Sequence, residues 1–133
     1  MPDRRSQIAT ILEVLHDAFR RRDLDTIGRY FAEDVRLLTP DGAARGRAAK
    51  LVDEQKVFES FDDAEVEVVE LLIDGDAAAE FCLLHGTLRG GQGAGRRIAL
   101  RYAVRYRFEA DLIVTQEICF DRAALGEKPP PAE

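Results

Sequence analysis

Two side chains in this sequence can move a proton near neutral pH and sit in patterned surroundings. They are His85, in Phe81-Cys82-Leu83-Leu84-His85-Gly86-Thr87, and Asp121, in Phe120-Asp121-Arg122-Ala123-Ala124-Leu125-Gly126. An imidazole titrates close to the working range, so a half-buried histidine can serve as general base or acid. Side chains alternate faces along a strand. Phe81 and Leu83 therefore set an apolar, inward face that His85 shares, with Glu80, Cys82 and Leu84 opposed. Among apolar walls, desolvation favours the neutral, proton-accepting ring. The competing readings of His85 are a ligand-lining residue and a strand-end histidine bonded to a carbonyl or to solvent. Asp121 is either an acid/base or the N-cap of the short turn after it, accepting orphan backbone amides.

The same alternation places further candidates. In the stretch 96–109, Ile98, Leu100, Tyr102, Val104, Tyr106 and Phe108 share one face, and Arg101, Arg105 and Arg107 the other. In the stretch 112–120, Val114, Gln116, Ile118 and Phe120 face in, with Thr115, Glu117 and Cys119 out. Gln116 can orient a ligand carbonyl or satisfy a buried backbone group. Tyr102 and Tyr106 are core residues or phenol donors at a pocket mouth. Neither His16 nor His85 has clustered partners at metal-ligand spacing. No metal site and no cofactor are expected.

The elements that must carry these residues read in order along the chain. A helix is expected from about Asp3 to Arg22, burying Ile8, Ile11, Leu12, Leu15 and Phe19. Leu24, Ile27 and Phe31 continue at helical spacing, and Val35-Arg36-Leu37-Leu38 is extended. Ala43 to Arg47 reads as a loop, and Arg47 to Phe61 as a third helix facing inward through Leu51, Val57, Phe58 and Phe61. Strands follow over 65–73, 77–88, 96–109 and 112–120. Asp74-Gly75-Asp76 marks a turn, since glycine takes positive φ without steric cost. Gly90 to Gly95 reads as a hairpin tip, and it is no phosphate loop because no helix follows it. Helices first and strands afterwards imply an α+β domain with helices on one sheet face.

The run Arg21-Arg22-Asp23-Leu24-Asp25 to Tyr30-Phe31-Ala32-Glu33-Asp34-Val35, followed by Thr39-Pro40-Asp41-Gly42, resembles the opening of the NTF2-like superfamily. That group includes SnoaL-like cyclases and ketosteroid isomerases. The resemblance covers about Asp3 to Gly126. It implies a cone of three N-terminal helices on a curved antiparallel sheet and a single domain over 1–126; the polar, proline-rich residues 127–133 read as a disordered tail. It also implies a pocket. The isomerases' base, first-helix tyrosine and buried acid fall at Thr39, Leu15 and Val104, where none of that chemistry survives; these positions become ligand-lining candidates beside Phe81, Tyr102, Gln116 and Ile118. The SnoaL-like branch's acid/base falls at Asp121. The Asp-Arg-Asp arrangement of this fold's epoxide hydrolases is not expected, because Glu80, Arg101, Arg105 and Glu117 read as outward.

Composition limits the alternatives. The chain has 133 residues, 46% hydrophobic and 33% charged, with net charge −6. That describes one ordinary globular domain and argues against a broad nucleic-acid surface. No apolar run reaches the roughly 18 residues of a membrane span, and charges begin at Asp3, so neither membrane insertion nor a signal peptide is expected. The lone Cys82 and Cys119 form no disulfide framework, so a reducing cytoplasm is the expected setting. Leu84, Cys82, Ala99, Ala103 and Cys119, interleaved with Arg101, Arg105, Glu80 and Glu117, make the outer face amphipathic and suited to a homodimer with cross-strand ion pairs. The expected function is binding of a small apolar or aromatic molecule, either with cofactor-independent proton transfer or as a non-catalytic binding or association module.

Overall fold

The computed structural model describes residues 3–90 and 94–121. The expected tail, the helical turn after Asp121 and the middle of the glycine-rich tip lie outside those residues.

Helix α1 (Arg4–Arg20) begins where the Asp3 carboxylate accepts the Ser6 amide at 2.8 Å. Of its expected apolar stripe, Ile8, Ile11, Leu12 and Leu15 are buried and Phe19 is half-buried, with Ala18 buried beside it. Each such side chain withdrawn from water stabilises the fold by about 1.5–3 kcal/mol before chain entropy opposes it. Helix α2 (Leu24–Arg29) starts at Asp23, which accepts from both the amide and the hydroxyl of Thr26. Phe31, at the edge of the helical spacing, instead opens strand β1 (Phe31–Thr39). The segment expected as a loop contains strand β2 (Gly42–Arg45), paired to β1 across the Thr39–Gly42 turn.

Helix α3 (Arg47–Ser60) ends against Arg22. That side chain donates to the carbonyls of Phe58, Phe61 and Asp62 at 2.7, 2.9 and 2.6 Å. The three-arginine run is therefore divided. Arg20 and Arg21 pair with Asp17, whereas Arg22 caps another helix.

Strands β3 (Glu65–Asp74), β4 (Ala77–Thr87), β5 (Arg97–Glu109) and β6 (Leu112–Phe120) form the expected antiparallel meander. The sheet order is β2-β1-β6-β5-β4-β3, and β1 runs parallel to β6. The sheet is thus mixed rather than antiparallel, and open at β2 and β3 rather than closed into a cone. Its parallel step follows from connectivity: β1 reaches β6 by a long crossover, which no hairpin constrains. Gly86 lies against Phe61, whose Cδ1 would be 2.9 Å from any Cβ placed there, so glycine lets β4 approach the end of α3.

Register corrects the face assignment of β4. Glu80, Cys82 and Leu84 stand opposite Val104, Tyr102 and Leu100, all on the helix-covered face of β5. Phe81, Leu83 and His85 consequently point to the outer face, where Phe81 is 46% exposed. Near the start of β6 a bulge shifts the register, so that Ile113 is fully buried where Val114 was expected to lead.

Candidate functional site

The helices and the inner sheet face enclose a cavity of about 220 Å³. Its walls are chiefly apolar: Phe19 from α1, Val57 from α3, and Phe61, Leu84, Leu100 and Phe120 around the far end. Leu15, Tyr102, Val104, Gln116 and Ile118, all expected from the sequence, line it too. Thr39 borders an adjoining cleft, formed with the β1–β2 turn and α3, that shares Lys50, Glu54, Gln116 and Ile118 with the cavity.

Three expected residues lie elsewhere. His85 is on the opposite sheet face, its Nε2 3.1 Å from Glu67 Oε1. Phe81 shares that face, since apolar size alone misassigned a strand whose two faces both carry large side chains. Asp121 is exposed just past β6, and the turn it was expected to cap lies outside the described residues.

The polar groups the cavity does bring together are different. His16, on α1, lines the cavity and places Nε2 2.7 Å from Glu80 Oε2. Glu80 is only 1% exposed, and its Oε1 has no hydrogen-bond partner among the described residues. A buried carboxylate is tolerated only with strong partners, so this contact fixes both side chains. In the neutral tautomer whose Nε2–H donates to Glu80, the Nδ1 lone pair is the position that can accept a proton. Glu80 was expected outside, which hid the pair. The available signal was His16 itself, four residues beyond Leu12 and so beside the buried stripe of α1.

Lys50 was also unexpected. It is 5% exposed, its Nζ lies 3.2 Å from Glu54 Oε1 and 5.0 Å from the centre of the Phe31 ring. The spacing of Lys50, Glu54 and Val57 runs along one face of α3, a stripe that polarity concealed, whereas Phe61, expected to end that helix, is extended just past it.

The two phenols of the wall, and the buried Cys82 thiol beside Tyr102, stay protonated. Burial pushes the Tyr106 phenol well above its usual range, reinforced by the nearby Glu80 and opposed by a hydrogen bond with Gln116. Burial likewise raises Tyr102, with Cys82 adding to the shift. Burial and then Glu80 push the Cys82 thiol up to about 11, so it is no nucleophile at neutral pH. No described group of three or more His, Cys, Asp and Glu side chains could hold a metal ion.

An α+β domain with helices over a mixed sheet and an apolar cavity between them is the class these features define. Residues 12–116 match the SnoaL-like domain, and the chain belongs to that family within the NTF2-like superfamily. Among curated proteins, none matches. Solved structures share the fold at low identity. A protein from Xanthomonas campestris, provisionally named a polyketide cyclase, has a TM-score of 0.82 at 19% identity, covering 91% of this chain and 95% of that one. An NTF2-like protein of unknown function from Burkholderia pseudomallei has a TM-score of 0.80 at 24% identity, covering 90% and 95%. A protein with a ketosteroid isomerase-like fold from Catenulispora acidiphila, in complex with trimethylamine, has a TM-score of 0.75 at 16% identity, covering 86% and 87%.

Proposed function

We propose that this protein binds a small, largely apolar molecule in the cavity and moves a proton on it, with His16 as the base. The observation that carries this reading is the 2.7 Å contact between the cavity-lining imidazole and a carboxylate that is 1% exposed. Glu80 orients the ring and stabilises the imidazolium that proton abstraction creates, the role of the carboxylate behind any catalytic histidine. Gln116 and Tyr102 line the same cavity and can donate hydrogen bonds to a ligand carbonyl, Tyr102 because its phenol stays protonated. No cofactor is needed for such a step.

The test is hydrogen–deuterium exchange at carbon, followed by NMR in D₂O, over a panel of small enolisable aryl ketones such as 2-tetralone. Exchange above the buffer rate should fall by about 10²–10⁴-fold in His16→Gln. Undiminished exchange in that variant removes His16 as the base. A second reading, binding without turnover, is favoured by Thr39, Leu15 and Val104 at the positions matching the isomerases' catalytic groups; it is supported if ketones bind and none exchanges.

We also propose that a second copy of the chain covers the outer sheet face. Phe81, Leu72 and Val69 are 46%, 51% and 57% exposed. Phe81, on β4, lies between the β5 arginines 101, 105 and 107 and the exposed β3 glutamates 65, 67 and 70, with Leu72 and Val69 on the glutamates' own strand, so a twofold rotation sets one copy's basic strand against the other's acidic one.

A further inference from the structure

Lysine is seldom buried, because its ammonium is strongly hydrated. Lys50 is buried where the apolar cavity meets the cleft bordered by Asp41, Asp53 and Lys56. Its ammonium carries three donors, and among the described residues one hydrogen bond, to Glu54, uses one of them. The two partners differ in freedom. The Lys50 side chain is 7% exposed and that of Glu54 16%, so Glu54 has the easier path into water when another acceptor arrives. Gln116, from β6, borders the same junction with an amide that can also donate. The charged and titratable groups around the junction are Asp53, Glu54 and Lys56 on the helix of Lys50, Asp41 across the cleft, and Tyr102, Tyr106 and His16 with Glu80 across the cavity.

Resting on the cavity reading above, we propose that Lys50 makes this site selective for molecules with an acidic oxygen, a carboxylate, phenolate or enolate, at one end of an apolar aromatic body. The oxygen takes the free Lys50 donors at the junction, and the body fills the space walled by Phe19, Phe61, Leu100 and Phe120. Low polarity around the ammonium strengthens that attraction relative to water. In the proton transfer to His16, the C–H electron pair moves onto the ligand's carbonyl oxygen. Lys50 then hydrogen-bonds the resulting oxyanion while keeping its own protons, so charge within the cavity is conserved.

Calorimetric titration with 2-naphthoate and its neutral isostere 2-naphthamide tests this. Wild type should bind the carboxylate at least about tenfold more tightly, the scale of a hydrogen bond to a charged group. Lys50→Met should remove that preference. Glu54→Gln, which frees the ammonium, should widen the preference for naphthoate over naphthamide several-fold, and it stands as the test if Lys50→Met does not fold. Equal binding of both probes by wild type, or a carboxylate preference unmoved by either substitution, overturns the selectivity and leaves the cavity reading intact. Failure of wild type to bind either probe overturns both.

Discussion

At the scale of single residues, the His16–Glu80 pair shows how a polar contact can be indispensable to its members yet add little net stability. Glu80 cannot leave its site, and His16 Nε2 is the hydrogen-bond partner of its Oε2. His16→Leu strands a buried carboxylate, and loss of one member of a buried pair typically costs about 3–5 kcal/mol. Adding Glu80→Leu should recover most of that loss, because apolar isosteres of a buried pair are often neutral or stabilising. Urea unfolding of the single and double variants measures the difference. A double variant no more stable than His16→Leu alone would mean that Glu80 contributes through packing rather than through this contact. A pair retained for proton transfer fits the expected result, since its removal would then sacrifice activity and not the fold.

At the scale of elements, two helix starts, the end of α1 and one strand junction are held by carboxylates whose protonation undoes the contact. Hydrogen bonds from Thr26 hold Asp23 below its usual range, and the Ser6 amide does the same for Asp3. The Arg21 and Arg97 guanidiniums lower Asp17 and Asp63. A carboxyl depressed in the folded state binds its proton first when unfolded. Its contribution is complete above the ordinary aspartate value of 3.8 and is lost as pH falls through the lower folded values. Thermal melts should therefore be flat with respect to these groups from neutral pH to about 5 and decline below about 4. Asp23→Asn keeps an acceptor for Thr26 but cannot titrate, so it should flatten the acid decline while moving the neutral melting temperature little. An unaltered acid decline in that variant would place the pH sensitivity elsewhere.

At the scale of the whole molecule, one sheet serves two surfaces. Its inner face, with α1 and α3, shapes the cavity, and its outer face presents Phe81 beside the Arg105–Glu117 contact of 3.2 Å. Arg105→Glu puts like charges together both within the sheet and across the proposed interface. Sedimentation should show a shift from dimer towards monomer, with added salt weakening the effect by screening. An unchanged sedimentation coefficient would locate any self-association on another face.

The sequence by itself determined the three helices, every described strand but β2, and the family. Periodic burial in α1, the Asp-Gly turn and the alternation of β5 and β6 are local, and each element repeats its signal several times. Leu15, Tyr102, Val104, Gln116 and Ile118 consequently fell where the cavity lies. Strand β4 lacked such a signal, because Phe81 and Leu83 compete with Cys82 and Leu84 for the inner face. Only cross-strand register with β5 decided it, placing Glu80 inside and His85 outside. His16 and Glu80 are distant in sequence, and so are Lys50 and Phe31 as partners across elements. Their chemistry exists only once the helices settle on the sheet, since the Glu80 carboxylate meets its hydrogen-bond partner on α1 and the Lys50 ammonium, bonded within its own helix, meets the Phe31 ring only there.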